Sequence, residues 1–177
     1  MLLTDIHGEA VPLPDPERLV HLQFRRFAGC PVCNLHLRSV ARRHDEIRAA
    51  GVREVVVFHS PADELHEHGA ELPFAVIADP DKELYRRYGI EASARALLDP
   101  RVWPTILRAI AVALPGVLRG TVRTPSARPA GGRLGLPGDF LIAPDGRTIA
   151  RKVGRHAGDQ WSVDELLALV PAKEVRR

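Results

Sequence analysis

Cys30 and Cys33 are the only cysteines of this 177-residue chain, and they stand in the run Cys30-Pro31-Val32-Cys33. An apolar, strand-like run from Leu19 to Phe24 precedes them, and a helix-like stretch follows. A thiol at a helix N-terminus meets unpaired backbone N–H groups and the positive end of the helix dipole, which favour an anion. The thiolate is the reactive form of cysteine, and such a setting brings its pKa from about 8.5 into the range of roughly 3.5–7.5. The three-residue spacing puts both sulfurs on one face of the helix, where a disulfide can close. Pro31 suits the first helical turn because its missing N–H would have had no helical partner. Gly29 lets the chain turn tightly out of the strand. Cys33 shares a helical stripe with Leu37, Val40 and Ile47 and is expected to face the core, leaving Cys30 as the more exposed sulfur. This reading makes Cys30 the nucleophile and Cys33 the resolving thiol. A zinc site needs four ligands, and no second cysteine pair supplies the other two. The plainer alternative is a pair of inert core cysteines.

Arg25 and Arg26 come just before the motif. Neighbours on a strand point to opposite faces, so at most one of them is expected at Cys30. A guanidinium there would lower the thiol pKa and could bind an oxygen of a peroxide or carboxylate. The alternative is a solvated arginine at a strand end. His59 closes the second apolar strand, at the edge where α/β sites open, and could take the thiol proton. His36, one turn after Cys33, is a weaker candidate for the same task. His66 and His68 flank Glu67, but residues two apart on a helix diverge and no His-Glu-x-x-His pattern occurs. They read as surface histidines. Asp79 and Asp81 suit a helix start and are given no catalytic role. No metal or organic cofactor is implied.

Positioning these groups requires alternating strands and helices. A helix is expected from Pro31 to about Ala50, stopped by Gly51. Val55 to Phe58 reads as a buried strand, and Pro61 to His68 as a helix with Ser60 as N-cap. Phe74 to Ala78 is a further strand, followed by a short helix from Lys82 to Tyr88 that ends at Gly89. Phe140-Leu141-Ile142 and Thr148 to Val153 flank Pro144-Asp145-Gly146, a strong hairpin signal. Ser162 and Glu165 form a capping box for the last helix, with Trp161 stapled to Leu166. The order predicts an α/β sandwich, a mixed sheet with helices on both faces.

One stretch differs from the rest. From Arg101 to Gly138 there is no Asp or Glu, yet Arg101, Arg108, Arg119, Arg123, Arg128 and Arg133 all occur. Its first half, Val102 to Leu118, is apolar around most of a helix, and its second half is loop-like in Gly, Pro and Ser. We read residues 91–138 as an insertion within a single domain spanning 1–177. It could serve as a lid over the thiols, a homodimer surface, or a basic contact for an acidic partner or membrane surface. The plainer reading is a helix packed on the sheet followed by a solvated loop. No apolar run was expected to reach membrane-spanning length, since Ile110 to Leu118 is short and holds Pro115. A net charge of +3 is too small and dispersed to argue for nucleic acid. Few cysteines and no signal-like start point to a reducing, cytoplasmic setting.

Taken together, these segments resemble the peroxiredoxin-like branch of the alkyl hydroperoxide reductase/thiol-specific antioxidant superfamily, with its thioredoxin-like fold. The likeness lies in Asp5 to Leu13, in Phe24 to Cys33, in Leu72 to Tyr85 with Tyr88-Gly89, and in Gly138 to Gly146. It implies a hydroperoxide substrate reduced through Cys30 and Cys33, and regeneration by a thiol protein or small thiol. It also suggests that Pro137, just before the late hairpin, is the counterpart of the cis-proline that faces the CxxC loop; the alternative is an ordinary trans loop proline. Typical members carry a Pro and a Thr or Ser at the positions taken here by Gln23 and Phe27. The hydroxyl that would orient a peroxide is therefore missing. Two alternatives follow: a thioredoxin-like disulfide reductase, or a redox-sensing binding module without turnover.

Overall fold

The computed structural model describes residues 1–69, 72–90, 92, 93, 95–120, 129 and 131–171. Its centre is strand β3 (Leu19–Arg25), in which two kinds of side chain alternate. Val20, Leu22 and Phe24 point to one face, where they join Val55, Val57, Ile77, Phe140 and Ile142 in an apolar cluster. Each fully buried side chain of this kind contributes about 1.5–3 kcal/mol relative to an exposed one. His21, Gln23 and Arg25 point to the other face and are equally buried.

The main sheet has the order β5-β4-β3-β6-β7, with β4 at Val52–Phe58, β5 at Ala75–Ala78, β6 at Gly138–Ile142 and β7 at Thr148–Val153. β3, β4 and β5 run parallel. β6 and β7 run antiparallel to their neighbours. The Pro144-Asp145-Gly146 turn joins β6 to β7 as expected, with Gly146 at φ +87°, a conformation that glycine adopts without strain. A short hairpin that sequence reading did not anticipate, β1 (Leu2–Thr4) with β2 (Ala10–Pro12), puts Leu3, Val11 and Leu13 against the first face.

Helices cover both faces. α4 (Glu83–Arg87) closes the first face through Tyr85. On the second face lie α1 (Pro31–Arg42), α2 (His44–Ala49), α3 (Ala62–Gly69), α6 (Trp103–Leu118) and α7 (Val163–Leu169). The single helix expected from Pro31 to Ala50 is two helices that meet at Arg43. Its guanidinium binds Glu46 on α2 and Asp164 on α7. No Gly or Pro marks the break. The Ser162–Glu165 capping box is present, and Trp161 and Leu166 share a cluster. The hydroxyl of Ser60, expected as an N-cap, accepts the backbone N–H of Ala28 at 2.9 Å and so ties α3's start to the CxxC loop.

Between α4 and β6 the chain forms α5 (Arg95–Leu98), a 3₁₀ turn (Pro100–Val102) and α6. The two ends of this excursion are pinned together, with the N–H of Ser93 donating to Leu134 O and a bridge between Ala92 and Gly135. Arg123 and Arg128 lie outside the described residues. The continuous helical stretch Pro100–Leu118, 19 residues long, is apolar and long enough to cross a membrane by length and composition. That corrects the expected absence of such a stretch, which a strict run count missed because Arg108 interrupts it. Ile106 and Ala109 pack on α1, so the helix lies along the protein.

Asp79 shows how tightly the short helices are capped. Its carboxylate accepts the backbone N–H groups of Glu83, Leu84 and Tyr85 at 2.9–3.2 Å. Asp79→Ala is expected to lower stability by about 1–2 kcal/mol in urea unfolding, with Asp79→Asn losing less. Equal losses for the two would show that the cap is not what holds α4.

Candidate functional site

Cys30 is the N-cap of α1 and Pro31 its first residue, so the reactive position at the helix start is occupied as expected. Both cysteines are free thiols, and both are 1% exposed. That corrects the expected exposure of Cys30. The cover comes from elements distant in sequence: Phe27, Val32, Leu65 and α6 through Ala109 surround the pair in one apolar cluster.

The two sulfurs differ in acidity. Burial pushes the Cys30 thiol up, but the hydrogen bond from Cys33, the charge of Arg26 and the N–H groups of Cys33 and Val32 outweigh it. The result is a pKa of about 6. Burial, together with the hydrogen bond and charge of Cys30, holds Cys33 well above the ordinary thiol range. At neutral pH the pair is therefore a Cys30 thiolate accepting a hydrogen bond from a Cys33 thiol.

Arg26 is the cation of this pair. Its Nη1 donates to Cys30 Sγ at 3.7 Å. A unit charge pair near 4 Å is worth about 4 kcal/mol at an effective dielectric of 20, roughly three pKa units, enough to offset a substantial burial cost. Arg26 Nη2 donates to the carbonyl of Arg133, and its guanidinium lies 5.2 Å from the centre of the Phe27 ring. Its Nε is buried and makes no hydrogen bond.

Arg25 turns the other way. Its Nη2 donates to Asp139 Oδ1 at 2.7 Å and to Gln23 Oε1 at 2.6 Å, and lies 3.1 Å from His36 Nε2. Neither arginine is the solvated strand end that was the alternative reading, since both are buried. His36 is held well below the usual histidine pKa by burial and the charge of Arg25, so it is neutral and accepts from that guanidinium.

Arg25 belongs to a network that sequence reading missed. His21 Nδ1 donates to both Glu54 oxygens at 2.9–3.0 Å, and its Nε2 lies 3.3 Å from Asp139 Oδ1. Gln23 Nε2 also donates to Glu54, and the Trp161 N–H donates to Asp139 Oδ2. Burial pushes the His21 pKa down, but the charges and hydrogen bonds of Glu54 and Asp139 outweigh it and raise it to about 9. Asp139 is held far below the usual carboxylate range: burial opposes this, and Arg25 and His21 overcome it. Two cations thus balance two anions. The signal was available, because polar residues at alternate positions of a central strand require partners on its neighbours.

His59 is fully buried beneath the returning loop. A Cβ at Gly131 would lie 2.6 Å from its Nδ1, and one at Gly135 would lie 2.9 Å from its Nε2, so only glycine admits the ring there. Its N–H donates to Arg26 O, and its ring lies 5.6 Å from that of Tyr85. Pro137 follows a trans peptide bond, which corrects the expected cis-proline. Its carbonyl accepts the N–H of Gly154, and its ring packs on that glycine, fixing it to the β7 edge. His66 is exposed against His7, and the side chain of His68 lies outside the described residues. Among the described residues no group of three His, Cys, Asp or Glu could hold a metal ion.

A family model described as AhpC/TSA antioxidant enzyme matches residues 39–156, more than half of the chain. The chain belongs to the AhpC/TSA antioxidant enzyme family. No curated protein matches its sequence. Peroxiredoxin Q of Xanthomonas campestris is similar over 96% of this chain and 89% of its own, with 15% identity and a TM-score of 0.62. Peroxiredoxin 6 of Arenicola marina, as a cysteine-to-serine mutant, gives 15% identity and a TM-score of 0.62 over 96% of this chain and 68% of that one. StoA from Bacillus subtilis gives 16% identity and a TM-score of 0.57 over 97% and 96%. At these identities the likeness is one of fold, and the fold is thioredoxin-like. The family's thiol-dependent redox chemistry is the coarse functional class of this chain. The matched segment begins after the cysteine pair, so Cys30 and Cys33 rest on geometry alone.

Two outcomes follow from these charges. Ultraviolet thiolate absorbance of reduced protein should titrate with a midpoint near pH 6, and Arg26→Gln should raise that midpoint by about 1–3 units. An unchanged midpoint would remove Arg26 as the stabilising cation. His21, with a raised folded pKa, stabilises fully below its unfolded value of 6.5 and loses that contribution as pH rises through about 9. Cys30, with a lowered one, contributes in the opposite sense between about 6 and 9. Cys30→Ser should therefore expose a falling stability on the order of 1 kcal/mol per pH unit across that window, read by urea unfolding. A flat profile in the variant would argue against a charged His21.

Proposed function

We propose that the protein is a peroxiredoxin-like thiol oxidoreductase that reduces a hydroperoxide through Cys30 and Cys33. The observation that carries this reading is the Arg26 guanidinium on a Cys30 sulfur whose pKa is about 6, beside a Cys33 that stays protonated. The Cys30 thiolate attacks the terminal peroxide oxygen, the O–O bond breaks, and an alkoxide leaves and takes a proton from solvent. Cys30 is then a sulfenic acid. The Cys33 sulfur displaces its hydroxyl as water, which closes the disulfide, and two external thiols reduce the pair again. Arg26 Nε, buried without a partner, is a donor for the departing oxygen where Phe27 offers no hydroxyl.

Burial of both sulfurs favours a small substrate. A hydroperoxide reaches a covered thiolate after a modest opening, whereas a protein disulfide needs the sulfur at the surface. The disulfide-reductase reading is kept for one reason: Phe27 replaces the residue expected to orient a peroxide. His59 lies beside Arg26 without an assigned chemical step, and Pro137 lies at the β7 edge. A reducing, cytoplasmic setting and a thiol-protein or small-thiol reductant complete the proposal.

Rapid mixing of reduced protein with hydrogen peroxide and, separately, with a small disulfide separates the readings. Peroxide should react at least ~10²-fold faster than a free thiol does, and Cys30→Ser should abolish the reaction. Cys33→Ser should react at an undiminished rate and accumulate sulfenic acid. Free-thiol rates with peroxide and fast disulfide exchange would select the reductase. A single oxidation with no cycling by any thiol reductant would select a sensor.

A further inference from the structure

Among the described residues, nothing covers the outer side of α6. Successive helical residues turn by about 100°, which aligns Trp103, Leu107, Ile110, Leu114 and Leu118 along one stripe. They are 49–78% exposed, the largest exposed apolar side chains of the described surface among them. Arg108 and Arg119 fall together on the same exposed side, roughly 120–140° round the helix from the stripe's axis, Arg101 stands on the 3₁₀ turn before it, and no Asp or Glu occurs from Arg101 to Gly138. The opposite side of the helix is already occupied, with Ile106 and Ala109 against α1. We propose that α6 docks in the plane of an anionic lipid surface, its apolar stripe in the acyl boundary and its arginines on the headgroups.

Charge and shape select this occupant. A two-fold copy of the chain would set the same patch on itself. That patch holds three guanidiniums, and the carboxylate at its end, Asp99, already caps the turn through the Arg101 N–H, so a self-contact gathers like charges at its rim. An enclosing groove on another protein needs access to more of the helix than its packing on α1 leaves. A planar interface meets a shallow, convex strip along its whole length, and anionic lipids supply the missing counter-charge. Trp103 at one end is the side chain best suited to the headgroup level. The same stretch is long enough to span a bilayer, but its contact with α1 keeps it parallel to the surface.

The test is co-sedimentation of the reduced full-length protein with vesicles of phosphatidylcholine alone and with about 30 mol % phosphatidylserine added. Binding is expected to the anionic vesicles only, weakening as salt rises, with a blue shift of tryptophan emission that Trp103→Phe removes. Leu107→Glu with Leu114→Glu should weaken binding at least about tenfold. Arg108→Glu with Arg119→Glu should do the same while leaving the stripe intact. All four positions are exposed, so far-UV circular dichroism and the Cys30 oxidation rate should not change. Failure to bind anionic vesicles at low salt would overturn the proposal. Equal binding to both vesicle types would overturn its charge component. A dimer in sedimentation equilibrium that Leu107→Glu abolishes, without vesicle binding, would assign the face to a second copy.

Discussion

A negative sulfur inside an apolar cluster is the constraint on which this structure turns. Cys30 is surrounded by Phe27, Val32, Leu37 and Leu65, and such an environment alone would keep its proton in place. Arg26 reverses that outcome, and its own position is over-determined. One guanidinium nitrogen faces the sulfur and another is held by the carbonyl of Arg133. The guanidiniums of Arg26 and Arg133 both lie over the ring of Phe27, 5.2 and 5.7 Å from its centre. The excursion between α4 and β6 is thus part of the electrostatics of the thiol. It supplies the acceptor that orients the cation, and it supplies the cover that removes water and strengthens the charge pair.

The neighbouring residue solves a different problem with the same chemistry. Arg25 enters the sheet's second face, where a buried guanidinium is costly unless an anion and hydrogen-bond acceptors meet it, and here both terminal nitrogens are met. Asp139, Gln23 and His36 receive it, and Glu54 with His21 completes a neutral set. The network crosses β4, β3 and β6 and reaches α1 and the entry to α7 through His36 and Trp161. A unique register of the central strands is built into it. A slip of one residue would turn Arg25 into the opposite apolar face and leave Asp139 and Glu54 without cations.

Local signals carried much of the fold into the sequence. The CxxC at a strand-to-helix junction, the Pro-Asp-Gly hairpin and the Ser162–Glu165 box each depend on residues near one another in the chain. What escaped depends on residues far apart. The break at Arg43 has no local breaker, and the guanidinium there bonds to Asp164 on α7. Cys30 is buried because Leu65 of α3 and Ala109 of α6 pack into its cluster, and helix position alone placed it outside. Pro137 is trans and packs at the β7 edge, against Gly154. The alternation His21, Gln23, Arg25 was legible as a polar stripe, and its meaning required knowing that the strand is central and covered.

The boundary of the family match sharpens the division between frame and chemistry. Residues 39–156 include β4, β5, β6, β7 and the α6 excursion, and exclude β3 and the cysteines. In this chain that segment forms a cradle: the strands that hold Glu54 and Asp139, and the loop that presents Arg133 and two glycines to Arg26 and His59. A cradle of that kind constrains what sits in it. Gly131 and Gly135 leave no room for a Cβ above His59, and the Arg133 carbonyl sets where the Arg26 guanidinium can lie. The sulfur chemistry at Cys30 is thus shaped by residues about a hundred positions away, and a substitution in that loop acts on the thiolate through Arg26.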